Sequence, residues 1–298
     1  MKQVVCIGET MALVTPVEPV PLEQADLCRL DMGGAESTVA LYLAELGRHA
    51  RWVSRLGDDP LGRRILSTLD AGGVDTGWVR TDPGAPTGLY LKDPAPGATA
   101  VHYYRAGSAA SRMGPDDLAA LPLEEADVVH LSGITPALSA SCADLVEALV
   151  ARLAGTSTLV SFDVNYRPGL WPVEQAGPVL LELARRCDLV LVGRDEAETL
   201  WGAATAEDVR SLLPDPVTVV VKDGPVGATE FAGDTATFLE APTVEVVEPV
   251  GAGDAFAAGY LDGLLDGADP AERLRRGHRL AARALSSTSD FAPAPAGT

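Results

Sequence analysis

Asp254 stands in the stretch VEPVGAGDAFAAGY, where a glycine-rich turn runs into a series of small residues. Those small residues read as a helix, which puts the carboxylate at its N-terminus. Gly251 and Gly253 let the backbone approach an anion closely, and the free N–H groups of the first turn point at it. The helix dipole favours an ionised carboxylate at the same place. A hydroxyl beside Asp254 would be oriented and give up its proton there, while the amides neutralise charge developing on phosphoryl oxygens. Acid and amides are then complementary parts of one transfer reaction. Aspartate also caps helices without any catalytic role, and G-A-G-D in isolation supports both readings.

Competing chemistries leave no trace. The chain has no G-x-x-x-x-G-K-[ST], H-E-x-x-H or G-x-S-x-G, so a Walker-type phosphate loop is excluded. Its histidines, His49, His102, His130 and His278, are scattered, as are Cys6, Cys28, Cys142 and Cys187. Such spacing fits neither a zinc site nor a disulfide framework, and it points to a reducing cytoplasm. Glu9 interrupts the first apolar run, against a signal peptide, and no run approaches the ~18 apolar residues of a membrane span. The net charge of −19, with lysines only at positions 2, 92 and 222, repels nucleic acid and anionic lipid. An anionic ligand must therefore be held by particular arginines and helix N-termini.

The elements that would position Asp254 follow from periodicity. Across 298 residues, strand-like runs alternate with helical ones: VVCIG, ARWVSRLG, DVVHLSG, TLVSFDVN, DLVLVG and VTVVVKDG against TVALYLAELG, PLGRRILSTLDAGG, Ala140–Leu153, Val173–Arg186 and Ala206–Leu213. This implies one α/β domain, residues 1–298, with a mostly parallel sheet covered on both faces and a ligand site beyond the strands' carboxyl ends. Two turn-rich segments, Thr15–Met32 and Trp78–Arg105 (with margins, about 10–32 and 78–108), alternate in the strand period. They are expected to form a small strand lid rather than idle surface excursions. The tail FAPAPAGT is expected to fray.

GGAESTVALYLAELG, GDDPLG and VGAGDAFAAGY, in that order along almost the whole chain, resemble the paired signatures of ribokinase-type (PfkB) carbohydrate kinases. TGLYL, YYRAGSA, HLSGITPAL and FDVNYRPGLW are similar to segments of the 2-keto-3-deoxygluconate kinases within that family. The resemblance implies a three-layer αβα fold, a strand lid over the sugar, ATP with Mg²⁺, and transfer of the γ-phosphoryl to a sugar hydroxyl. It also implies roles: Asp254 as the base, with Gly251, Ala252 and Gly253 as the anion hole. Gly34, Tyr90, Tyr103, Arg105 and Arg167 would line the sugar pocket. Lys222, Gly224 and Gly227, in KDGPVG, would lie on the nucleotide side, and Glu196 would support the metal through water. A monovalent cation such as K⁺ is a further expectation. The chain departs from the family pattern at Thr38 and Gly193, where asparagine is usual, and at Glu248, where aspartate is; His278 is left without a role.

The residues bear on the substrate too. Arg105 in the lid and Arg167 after a strand end would together suit a carboxylate, which takes paired N–H donors, unless both pair with acids of the protein. The expected reaction is phosphorylation of a keto-deoxy sugar acid, first 2-keto-3-deoxygluconate. The alternatives are a fructokinase- or ribokinase-like enzyme for a neutral sugar and a non-catalytic sugar-acid-binding homologue. The lid is expected to close over the sugar, and its edges to pair subunits into a homo-oligomer.

Overall fold

The computed structural model describes residues 2–95, 98–287 and 289–294. The strands are β1 (Gln3–Ile7), β2 (Met11–Pro16), β3 (Cys28–Gly33), β4 (His49–Val53), β5 (Arg55–Gly57), β6 (Arg80–Asp82) and β7 (Leu89–Ala95). They continue with β8 (Ala98–Tyr104), β9 (Val128–Ser132), β10 (Leu159–Asp163), β11 (Leu189–Gly193), β12 (Thr218–Asp223), β13 (Gly227–Ala232) and β14 (Thr235–Glu240). The helices are α1 (Ala35–Glu45), α2 (Pro60–Ala71), α3 (Ile134–Ala137), α4 (Ala140–Leu153), α5 (Val173–Arg185), α6 (Arg194–Trp201), α7 (Ala206–Leu212), α8 (Ala252–Leu265) and α9 (Pro270–Leu285).

The main sheet runs in the order β14-β13-β12-β11-β10-β9-β1-β4. Strands β4, β1, β9, β10, β11 and β12 are mutually parallel, and β13 and β14 close the edge as an antiparallel meander. Both faces of the parallel part are covered, so strands such as β1 and β11 are apolar on both faces. Val5, Ile7, Val190 and Val192 pack into a core with α4, α5 and α7. Val4, Cys6, Leu189 and Leu191 point the other way, into a core with α1, α2, α8 and α9. Burying one such valine or leucine contributes about 1.5–3 kcal/mol. The three-layer αβα arrangement is the one expected from the sequence.

A second sheet of four strands, β3-β2-β7-β8, stands apart from the main one. The segment read as one strand, ARWVSRLG, breaks at Ser54: β4 stays in the main sheet, while β5 leaves it to pair with β6. Part of the second turn-rich segment, Arg80–Asp82, is thus taken up beside α2 rather than in the small sheet. The tail also differs from expectation. Phe291 packs edge-on against Tyr42, with ring centroids 4.8 Å apart, and the Ala292 amide donates to the Tyr42 hydroxyl at 3.0 Å. An aromatic anchor and a buried hydrogen bond hold the tail down; its last four residues lie outside the described ones.

Candidate active site

Parallel strands deliver their carboxyl ends to one edge, where β10 ends in Asp163, β11 in Gly193 and β12 in Lys222–Asp223. The N-terminus of α8 faces that edge across a cavity of about 1100 Å³. Gly251 precedes the helix at φ 81°, a left-handed conformation that favours glycine, and a Cβ there would lie 2.6 Å from the Asp290 carbonyl oxygen. Gly251, Ala252, Gly253 and Asp254 all line the cavity.

Asp254 is a different acid from the one the helix dipole alone suggests. Burial, and next the negative charge of Asp163, push its pKa up to about 7, against the pull of Arg167 and Lys222. Desolvation therefore outweighs the dipole. A carboxylate poised near neutral pH is suited to accept a proton and release it again. Asn165 Nδ2 donates to Asp254 Oδ1 at 3.4 Å. Among the described residues, Asn165 is the one non-glycine residue with positive φ, at 38°. Such strain concentrates at functional sites. The stretch FDVNYRPGLW contains this asparagine, and its sequence alone gives it no role. An Asn just beyond a strand's carboxyl end, a residue that tolerates the left-handed region, was the available signal.

Lys222 donates to both oxygens of Asp163, at 2.7 and 3.0 Å, and its ammonium lies 3.6 Å from where a Gly253 Cβ would be. The lysine therefore reaches from the end of β12 to the helix N-terminus. Burial disfavours its charge, but Asp163, Glu196 and Asp254 more than compensate and raise its pKa. Glu196 accepts from the Gly193 and Tyr166 amides, at 2.8 and 2.9 Å, while burial raises its pKa. Both of its oxygens are thus anchored by backbone, with lone pairs left for water at the cavity wall. Gly224 and Gly227, at φ 48° and 150°, shape the β12–β13 turn on the same wall. An apolar slot of Ala228, Pro242, Val244, Phe256, Ala281 and Leu285 continues from it. His278 borders the slot with Nε2 3.2 Å from the Leu239 carbonyl oxygen, and burial lowers its pKa, which favours the neutral ring.

The residues expected around the sugar separate into two groups. Tyr103 and Arg167 line the cavity, and Arg167 makes no ion pair among the described residues. Arg105 is engaged by the protein itself: its Nε donates to Glu9 at 2.7 Å, and Ser108 holds the other Glu9 oxygen at 2.6 Å. Tyr90 stacks on Tyr103 at 5.8 Å, but its hydroxyl donates to Asp290 Oδ2 at 3.1 Å. Gly34 starts α1 in extended backbone, where a Cβ would meet the Glu9 carbonyl oxygen at 2.4 Å. Among the described residues no group of three or more His, Cys, Asp or Glu side chains is placed to hold a metal ion.

A family model, pfkB family carbohydrate kinase, matches residues 1–296. The chain belongs to that family. This kinase is 35% identical over 281 residues to the 2-dehydro-3-deoxygluconokinase of Thermoproteus tenax, covering 92% of this chain and 85% of the relative. It is 36% identical over 276 residues to the 2-dehydro-3-deoxygalactonokinase of Haloferax volcanii, covering 91% and 86%. Among solved structures, the 2-dehydro-3-deoxygluconokinase of Thermotoga maritima superposes with a TM-score of 0.89 at 27% identity, covering 97% of this chain and 94% of that one. The protein is a sugar kinase. Where it departs from the family pattern, Thr38 is buried in α1, Gly193 leaves its amide to cap on Glu196, and Glu248 faces Lys92 at 3.3 Å.

Proposed function

We propose that this kinase phosphorylates a keto-deoxy sugar acid, first among them 2-keto-3-deoxygluconate, at a terminal primary hydroxyl. The observation that carries the reading is Arg167, a guanidinium with no ion pair among the described residues that lines the same cavity as Asp254. A guanidinium offers the carboxylate of the sugar two parallel N–H donors. In this reading Asp254 accepts the hydroxyl proton. The sugar oxygen forms a bond to the γ-phosphorus as the bond to the β-phosphate oxygen breaks, and ADP leaves. The Gly253 amide and the Lys222 ammonium would face the charge that develops, joined by the Ala252 amide on leaving the Pro249 carbonyl oxygen 3.4 Å away. Mg²⁺, held through water by Asp163 and Glu196, would supply positive charge to the phosphates of the nucleotide. The donor set suits an ion held through water and phosphate, since Asp163 and Glu196 offer carboxylates but the described residues form no protein cage. The apolar slot suits a flat base.

Release of ADP in the presence of 2-keto-3-deoxygluconate, its galacto epimer and neutral sugars tests the proposal. Turnover with the acids and a rise of about tenfold or more in their KM for Arg167→Ala are expected; turnover confined to neutral sugars overturns it. The neutral-sugar alternative draws on one specific observation, the commitment of Arg105 to Glu9, which leaves a single guanidinium for the acid. The same reading includes Tyr90, Arg105 and Gly34 coming to the sugar when the small sheet closes as a lid. It also includes a K⁺ requirement, pairing of subunits through that sheet, and a cytoplasmic location. A potassium titration, light scattering and cell fractionation check the last three in turn. Among the described residues no helix is long and apolar enough to cross a membrane.

A further inference from the structure

Lys92 is an unusual occupant of its place. Its side chain is 3% exposed in the middle of β7, and one isolated buried ammonium costs several kcal/mol. Two carboxylates compensate it: Glu248 Oε2 at 3.3 Å, just ahead of the glycine turn, and Asp290 Oδ1 at 3.6 Å, in the C-terminal tail. Tyr90, two residues earlier and so on the same strand face, holds the other Asp290 oxygen. The Asp290 backbone in turn lies against Gly251, leaving no room for a Cβ. The tail is fixed from the far side by Phe291 on Tyr42 and by Ser289 on Asp31 of β3, at 3.2 Å. A charge cluster therefore joins three separate parts of the chain at the base of the anion hole. A well-packed apolar trio would serve stability at least as well.

We propose that Lys92 is a positioning residue that couples the small sheet to the anion hole. Its ammonium holds Glu248 and Asp290 together, and these two set the path of the left-handed turn at Gly251 whose amides meet the transferred phosphoryl group. When β7 moves, the cluster moves with it, so the amides reach their working geometry only with the sheet seated. The proposal rests on the phosphoryl-transfer reading above. Misplacement of such donors by about 1 Å costs on the order of 10²-fold in rate.

Full-length enzyme carrying Lys92→Met keeps the length of the side chain and removes its charge. The expected result is a kcat lower by about tenfold or more with KM for ATP and sugar changed less than about threefold. Backbone amides of residues 251–254 should exchange with deuterium about tenfold faster than in the unaltered enzyme. Lys92→Ala should regain part of its lost kcat when methylammonium is added. If Lys92→Met does not fold, Lys92→Met/Asp290→Asn removes one charge of each sign and is read the same way. A kcat within about twofold of the unaltered enzyme, or unchanged exchange at those amides, overturns the proposal. The exchange comparison needs no sugar, so a failure of the substrate assignment is told apart from a failure of this one.

Discussion

At the scale of the residue, the proton balance of the site turns on Asp254. Its pKa of about 7 arises from burial first and from Asp163 second. As the proposed base, Asp254 would accept the hydroxyl proton only when deprotonated, so kcat/KM should rise with pH through that region and level above it. Asp163→Asn removes the neighbouring negative charge and frees Lys222, and both changes favour ionised Asp254. The acid limb should therefore move to lower pH, while Asp254→Asn should lose about 10²–10⁴ in kcat with the fold intact. Rate–pH profiles of the three proteins check this, and an unmoved limb in Asp163→Asn would count against the assignment. The place of Asp254 behind a glycine turn in the first turn of a helix was legible in the sequence because turn chemistry and helix N-termini are local. The partner of Arg105 was not. A chain with 42 acids offers too many candidates, and only the fold brings Glu9 from the end of β1 to the end of β8. Asn165 was hidden for the opposite reason, since its signal is a backbone angle that residue type permits without requiring.

At the scale of the element, the proposed sugar pocket would be completed only by the small sheet. Tyr103 lines the cavity, while Tyr90 and Arg105 are tied to Asp290 and Glu9 at the sheet's inner side. Ligand-driven seating of the sheet would exclude water, which otherwise competes for the phosphoryl group. Amide exchange in β7 and β8 should accordingly slow when ATP analogue and sugar acid are both bound, and less with either alone. Equal exchange with and without ligands would contradict a lid role. The strands of the main sheet were readable because each is a short β-branched run between turn signals. The break at Ser54 was not, because ARWVSRLG is continuous in hydropathy and only pairing with β6 draws Arg55–Gly57 away. The tail misled for a related reason. Proline and alanine suggest fraying, but Phe291 finds a tertiary partner in Tyr42 that no local pattern announces.

At the scale of the whole molecule, the field of −19 charges opposes the substrates it must admit. On the proposed function both nucleotide and sugar acid are anions, and the groups that would receive them are few: Arg167 and Lys222 on the cavity wall and the amides of α8. Lys222 is buried against Asp163, where salt screens weakly, whereas the repulsive field comes from exposed carboxylates spread over the surface. Added salt should therefore weaken the long-range repulsion more than the local attraction. At about 0.01 M ionic strength the field reaches about 30 Å, and at about 0.1 M only about 10 Å. The KM for ATP should fall across that range at fixed free Mg²⁺, with kcat little changed, when the salt is tetramethylammonium chloride so that no small cation enters the site. A KM that climbs instead would mean that exposed positive charge guides the nucleotide, and Arg167, the exposed cation at the mouth, would then be the residue to neutralise next.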